Sequence, residues 1–147
     1  MSQSILIVDD EPQILISLQQ VLRPIENNLM AIWTRDSAEE AMELMDTEQI
    51  DVVITDENMP GKSGIELLSW ISDNAPTTKK VLLTGDQSLS TAIRAINQGG
   101  VDAYLTKPFK QAELLGIINK LLLPKNPRSR NQPFRELHEQ ALAVSQY

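Results

Sequence analysis

The sequence predicts an α/β fold, a doubly wound five-stranded parallel sheet, and two observations carry most of that prediction. Five short, mostly apolar runs, 5–8, 29–33, 52–54, 80–83 and 103–105, each precede a stretch of helical apolar periodicity. The runs are largely continuous and do not alternate with polar residues, which is how strands covered on both faces read. Strands alternating with helices of this length call for right-handed crossovers and helices on both sides of the sheet. Strand order 2-1-3-4-5, one of two common solutions, puts the carboxyl ends of strands one and three side by side.

The elements follow in order. Ile5-Leu6-Ile7-Val8 stops abruptly at Asp9-Asp10-Glu11, so a buried strand delivers three acids to its own C-terminal end. Pro12 opens a helix at its first position, Ile14, Leu15, Leu18, Val21 and Leu22 fall at helical spacing, and Pro24 ends it. Leu29 to Trp33 reads as the second strand, and Asp36 or Ser37 can cap a helix with Ala38, Ala41, Met42 and Met45 on one face. The β-branched run Val52-Val53-Ile54 ends at Thr55-Asp56. Pro60-Gly61 turns the chain, and a helix from Ser63 or Gly64 buries Ile65, Leu68 and Ile71 until Asn74-Ala75-Pro76. Lys80 to Leu83 is the fourth strand and terminates at Thr84-Gly85-Asp86. Ser88 or Ser90 caps a helix that turns Ala92, Ile93 and Ile96 inward until Gly99-Gly100 breaks it. Ala103-Tyr104-Leu105 is the fifth strand, and the helix from about Gln111 to Leu122 carries Leu114, Leu115, Ile118, Leu121 and Leu122 as its apolar stripe.

At 147 residues and 41% hydrophobic content the chain has enough material for one domain with a real core, plus a tail. The domain is expected over residues 1–123. Pro124, Pro127 and Pro133, with Lys125, Arg128 and Arg130 between and among polar residues, read as a linker. Phe134, Leu137, Ala141 and Val144 then recur at three- and four-residue steps, the mark of a short amphipathic helix within 124–147 that can lead into an output domain. A net charge of -7 argues against a nucleic-acid or membrane-surface binder, since either needs a basic face. With no cysteine there is no disulfide framework, no thiolate metal site and no thiol nucleophile. No stretch reaches the roughly 18 apolar residues of a membrane span, and the expected location is cytoplasmic.

The chemistry gathers at the predicted carboxyl edge. Strand order places Asp9 and Asp10 beside Asp56, and three carboxylates that close need a cation. Hard oxygen ligands without His or Cys favour Mg2+, with Mn2+ as a stand-in. The bland reading of Asp9-Asp10-Glu11 is a helix cap complementing the dipole; one acid can cap while its neighbour binds metal. Thr84 and Lys107 arrive at the same edge from strands four and five. A hydroxyl and an ammonium flanking a metal-bound carboxylate are what phosphoryl oxygens need as they are transferred.

Asp9-Asp10, Asp56 in Asp-x-Asn-Met-Pro-Gly-x-x-Gly, Thr84-Gly85 and Tyr104-x-x-Lys107-Pro108-Phe109 together resemble the receiver domain of two-component response regulators. The resemblance covers about Ser4 to Leu123, and it is specific because separate motifs stand in the right order, each at a strand end. It implies a flavodoxin-like receiver fold and a phosphorylation-dependent signalling switch in which Asp56 accepts phosphate from a histidine kinase, a phosphotransfer protein or a small donor. It implies that Asp10 and Asp56 hold Mg2+ with the main-chain carbonyl of Asn58, and that Asp9 acts mostly through water. It assigns Lys107 to the phosphoryl oxygen, Thr84 and Tyr104 to the switch, and Asn58 and Asp86 to the lifetime of the acyl phosphate. A cis Lys107-Pro108 bond belongs to the same pattern. The switch would alter the surface of helix four, strand five and helix five, with homodimerisation on phosphorylation as one output.

One departure stands out: Asn97 to Asp102 carries one residue more than the usual receiver of DNA-binding regulators, which weakens any carry-over of their dimer contacts. Two other uses of the fold compete. An aspartate-nucleophile phosphatase wants an acid two residues after the nucleophile, where this chain has Asn58. A stand-alone phospho-gated adaptor would use the same site without an output of its own. On this reading the chain is no enzyme beyond slow self-catalysed phosphotransfer and dephosphorylation.

Overall fold

The computed structural model describes residues 3–122, and the linker and helix expected within 124–147 lie outside the described residues. Five strands, β1 (Gln3–Val8), β2 (Leu29–Arg35), β3 (Val52–Asp56), β4 (Lys79–Thr84) and β5 (Ala103–Thr106), form one parallel sheet in the order β2-β1-β3-β4-β5. Helices α1 (Pro12–Leu22), α2 (Ala38–Thr47), α3 (Gly64–Asn74) and α4 (Leu89–Arg94) make the crossovers, and α5 (Gln111–Leu121) follows the last strand. A 3-10 segment, Arg23–Asn28, follows α1 where Pro24 removes the amide that would continue it.

Strand alternation splits the core in two. Ile5, Ile7, Val52, Ile54, Val81 and Leu83 point to one face, where Leu18, Val21 and Leu22 of α1 and Leu114 and Ile118 of α5 cover them. Leu6, Val8, Val53 and Leu82 point to the other, under Ala38, Ala41 and Leu44 of α2 and Ile65, Leu67, Leu68 and Ile71 of α3. Central strands buried on both faces explain the continuous apolar runs, whereas the edge strand β2 is only partly covered and leaves Met30 exposed.

Most helix starts are set by local chemistry. Ser37 caps α2 by accepting from Glu40 N–H, and Ser88 caps α4 by accepting from Thr91 N–H. At α3 a full capping box forms: Ser63 accepts from Glu66 N–H, and the Glu66 carboxylate accepts from Ser63 N–H.

Helix four corrects the expectation from periodicity. Ile93 and Ile96 do not face inward; they are exposed together with Leu89, while Thr91, Ala95 and Gly99 are buried. The cause is close approach to α3. A Cβ on Gly99 would stand 3.3 Å from Leu68 Cβ, and the Ser72 hydroxyl lies between two carbonyl acceptors, Leu68 O and Gly99 O, each at 3.1 Å. Ala95 and Gly99 are the small residues buried where this segment meets α3, and Ile93 and Ile96 turn out. Ala95–Gly99, overlapping the run from Asn97 to Asp102, is wound as a π turn that closes with Gly100 in the left-handed region at φ 62°.

Candidate phosphoacceptor site

Sheet register builds the site. Val8 pairs with Thr55, so continuing by one residue sets Asp9 opposite Asp56 at the carboxyl edge. Carboxylate oxygens of Asp9, Asp10 and Asp56 lie within 4.8 Å of one another; Asp9 and Asp56 are buried, and Asp10 is the member open to solvent. Lys107 reaches over from the end of β5, its Nζ 3.4 Å from both Asp9 Oδ2 and Asp56 Oδ1. The Lys107-Pro108 bond is cis, as the motif implied.

The acids are not spent on capping α1. Glu11 occupies the cap position without a side-chain bond, and Asp9 Oδ1 accepts from Glu11 N–H at 2.9 Å, a local turn that fixes the Asp9 carboxylate. Burial pushes the Asp56 carboxyl above its ordinary range; the nearby Lys107 charge opposes that shift and Asp9 adds to it. One ammonium thus stands against three carboxylates.

A divalent cation fits this donor set. Oxygens around an octahedral Mg2+ are about 3 to 4 Å apart, the scale on which these carboxylate oxygens are already gathered. All donors are hard oxygens, and among the described residues no imidazole or thiolate joins the cluster.

The acidic loop is held tightly from outside. Gly64, the first residue of α3, packs against Asp56: a Cβ there would overlap the Asp56 carbonyl oxygen and lie 2.9 Å from its carbon and 3.0 Å from Glu57 Cα. Gly61 takes φ 79°, and Glu39 of α2 accepts from Lys62 N–H at 3.1 Å, which fixes the turn after Pro60. Asn58 sits exposed in this loop, two residues beyond Asp56.

Thr84 and Tyr104 both meet one residue, Asp86. The buried Thr84 Oγ1 accepts from Asp86 N–H at 3.0 Å, and Tyr104 Oη donates to Asp86 O at 2.9 Å. The Asp86 carboxylate accepts from Ser88 N–H at 2.8 Å and from Thr91 Oγ1 at 2.6 Å, and these bonds lower its pKa. Asp86 is therefore the hub of the loop between β4 and α4. Glu57 is the residue that motif reading passed over: only 6% exposed, it follows Asp56 directly and reaches the first turn of α3. Its signal was there, an acid next to a buried strand end and a few residues ahead of a helix start.

Known proteins are similar to this chain in sequence and in fold. PilR, a response regulator protein of Pseudomonas aeruginosa, is 35% identical over 133 residues, which is 89% of this chain and 28% of PilR. The chain thus spans less than a third of the length of that relative. The signal receiver domain of an HD domain-containing protein from Pseudomonas fluorescens superimposes with a TM-score of 0.77 at 35% identity, over 82% of this chain and 87% of that one. TrrA of Thermotoga maritima, a response regulator protein solved in complex with Mg2+ and BeF, gives 0.71 at 33% identity, over 82% and 99%. The family pattern of the response regulator receiver domain matches residues 5–119, and this chain belongs to that family.

Proposed function

We propose that the chain is a phosphorylation-dependent signalling switch of a two-component system, with Asp56 as the phosphoacceptor. The observation that carries the reading is the convergence of three carboxylates and the Lys107 ammonium at one sheet edge. An Asp56 carboxylate oxygen attacks the phosphorus of a phosphohistidine on a histidine kinase or phosphotransfer protein. The P–O bond of the acyl phosphate forms as the P–N bond breaks, and the electron pair stays with the imidazole.

Asp10, Asp56 and the main-chain carbonyl of Asn58 would hold Mg2+, with Asp9 acting mostly through water. The bound ion would neutralise phosphoryl oxygens during transfer. Lys107, already 3.4 Å from Asp56, supplies the second positive charge. Thr84 then exchanges the Asp86 N–H for a phosphoryl oxygen, and Tyr104 follows as the Asp86 loop shifts. Asn58 and Asp86 are the positions from which side chains set the acyl phosphate lifetime. The readout surface is α4, β5 and α5, where Leu89 and Ile93 of α4, with Ile96 of the π turn that follows, present an apolar stripe at four- and three-residue steps. Among the described residues no helix is long and apolar enough to cross a membrane, in keeping with a cytoplasmic partner.

The test is native mass spectrometry with Mg2+, with and without a small phosphodonor, alongside Asp56→Asn. One phosphoryl adduct that requires Asp56 supports the reading; stoichiometric labelling of Asp56→Asn on another residue removes it. An adduct accompanied by a monomer-to-dimer shift assigns the output to dimerisation, and an adduct without one assigns it to a monomeric adaptor.

A further inference from the structure

Glu57 has no task in phosphoryl transfer, yet it is a buried acid beside the phosphoacceptor. Its main-chain carbonyl accepts from Gly64 N–H at 3.0 Å and its Oε1 accepts from Ile65 N–H at 2.9 Å, so one residue holds the first turn of α3 twice. Its other oxygen, Oε2, faces Nη1 of Arg94 at 4.0 Å. Arg94 is the last residue of α4, half exposed, and it is the cation paired with Glu57 among the described residues. The pair therefore joins the loop that carries Asp56 to the helix that carries the apolar stripe.

We propose that Glu57 is a positioning residue that ties α4 to the phosphoacceptor loop through Arg94, and that this tie favours the arrangement described here over the switched one. The inference rests on Asp56 being the phosphoacceptor. A carboxylate this buried is stabilised by a neighbouring cation and the α3 N-terminus, and loses part of that support when the cation withdraws. At 4.0 Å the pair stands at the outer limit of direct ion pairing, so a displacement of α4 by about an ångström is enough to break it. When Thr84 leaves the Asp86 N–H, the loop leading into α4 must move, and the far end of that helix carries Arg94. Glu57 thus opposes the same motion that Thr84 drives.

The test uses Mg2+ with beryllofluoride as the phosphoryl probe. The switch is read by fluorine NMR of fluorotyrosine at position 104 in a Tyr147→Phe background. Arg94→Gln and Glu57→Gln are each expected to tighten apparent beryllofluoride affinity roughly twofold to fivefold, the scale of a partly exposed pair. The double variant is expected to do no more than either alone, and Arg94→Lys, which keeps the charge, to stay near the unaltered chain. Arg94→Gln leaving affinity unchanged or weaker overturns the proposal, as do single effects that multiply in the double variant. Because Arg94 is half exposed, its two variants carry the test even where Glu57→Gln fails to fold. Failure of the unaltered chain to respond, or a response that survives Asp56→Asn, overturns the phosphoacceptor reading itself and is distinguishable from failure of the tie.

Discussion

Gly64 and Gly116 offer a paired perturbation whose signs are opposite. Both are helical glycines without a positive φ, so replacing either by alanine gains helix propensity, about 1 kcal/mol at an interior position and less at the first turn. They differ in what the new methyl meets. At Gly116 nothing lies within 4 Å, whereas at Gly64 the methyl would overlap the Asp56 carbonyl and press on Glu57 Cα, both backbone. Backbone cannot rotate away as a side chain can, and overpacking of this kind costs about 1 to 3 kcal/mol or more. Gly116→Ala is therefore expected to stabilise by about 0.5 to 1 kcal/mol, and Gly64→Ala to destabilise by about 1 to 3 kcal/mol. With a urea slope of about 1 to 3 kcal/mol per molar, the midpoint should fall by on the order of 1 M for Gly64→Ala and rise by a fraction of that for Gly116→Ala. Gly64→Ala should also slow phosphodonor labelling, because relief of the overlap moves Asp56; Gly116→Ala should not. Equal midpoints for Gly64→Ala and the unaltered chain would refute the claim that α3 abuts Asp56.

Other expectations concern charge. Burial raises the Asp56 pKa above its unfolded value, so the folded form holds this proton to higher pH and ionisation costs stability. That cost is absent below the unfolded pKa and complete above the folded one. Asp56→Asn in metal-free buffer should accordingly raise Tm at neutral pH, with the gain vanishing as pH falls through the carboxylate range. A gain that persists at pH 3 would show another origin. Added Mg2+ should raise the Tm of the unaltered chain in a concentration-dependent way, and Asp10→Asn, at the solvent-open member of the cluster, should blunt that rise; calorimetry reads both. Thr84→Ala should retain labelling at Asp56 while losing most of the Tyr104 fluorine shift. Loss of labelling itself would place Thr84 in the transfer step instead of the switch.

How much of this was legible in the sequence depends on which forces act locally. The strands announced themselves because β1, β3 and β4 are buried on both faces, and the acids announced the edge because each follows such a strand directly. Strand order then brought Asp9 to Asp56 without any further information. Helix four was misread for a physical reason: Ala92, Ile93 and Ile96 at helical spacing look like a buried stripe, and only the close approach of Gly99 to Leu68 of α3 shows that Ile93 and Ile96 lie on the outer side. The π turn was equally hidden, since an additional residue can be looped out or wound in and composition does not choose. Asp86 was noted for its position after Thr84, but its hydrogen bonds to Ser88 and Thr91 and its two main-chain links depend on a loop conformation that no short pattern encodes.

The way these contacts are shared bears on how the proposed switch can work at all. Moving a population from mostly resting to mostly active takes roughly 5.5 kcal/mol of differential stabilisation. The arrangement described here is held at Thr84 by one neutral hydrogen bond, at Tyr104 by another, and at Arg94 by a loose ion pair. Each is an interaction of about 1 kcal/mol or less, so none is a lock. A phosphoryl group on Asp56 would offer charge-assisted bonds to Thr84 and Lys107, each worth about 1.5 to 3 kcal/mol. That exceeds what Thr84 gives up. Because Thr84 and Tyr104 hold opposite sides of the same Asp86 peptide framework, releasing one loosens the other, and the change reaches Leu89 through the Ser88 cap of α4. Tyr104→Phe separates this shared hub from two independent restraints. A shared hub predicts that losing the hydroxyl also eases Thr84 away from Asp86, so that beryllofluoride affinity rises in Tyr104→Phe and the further effect of Thr84→Ser is reduced. Independent restraints predict effects that multiply.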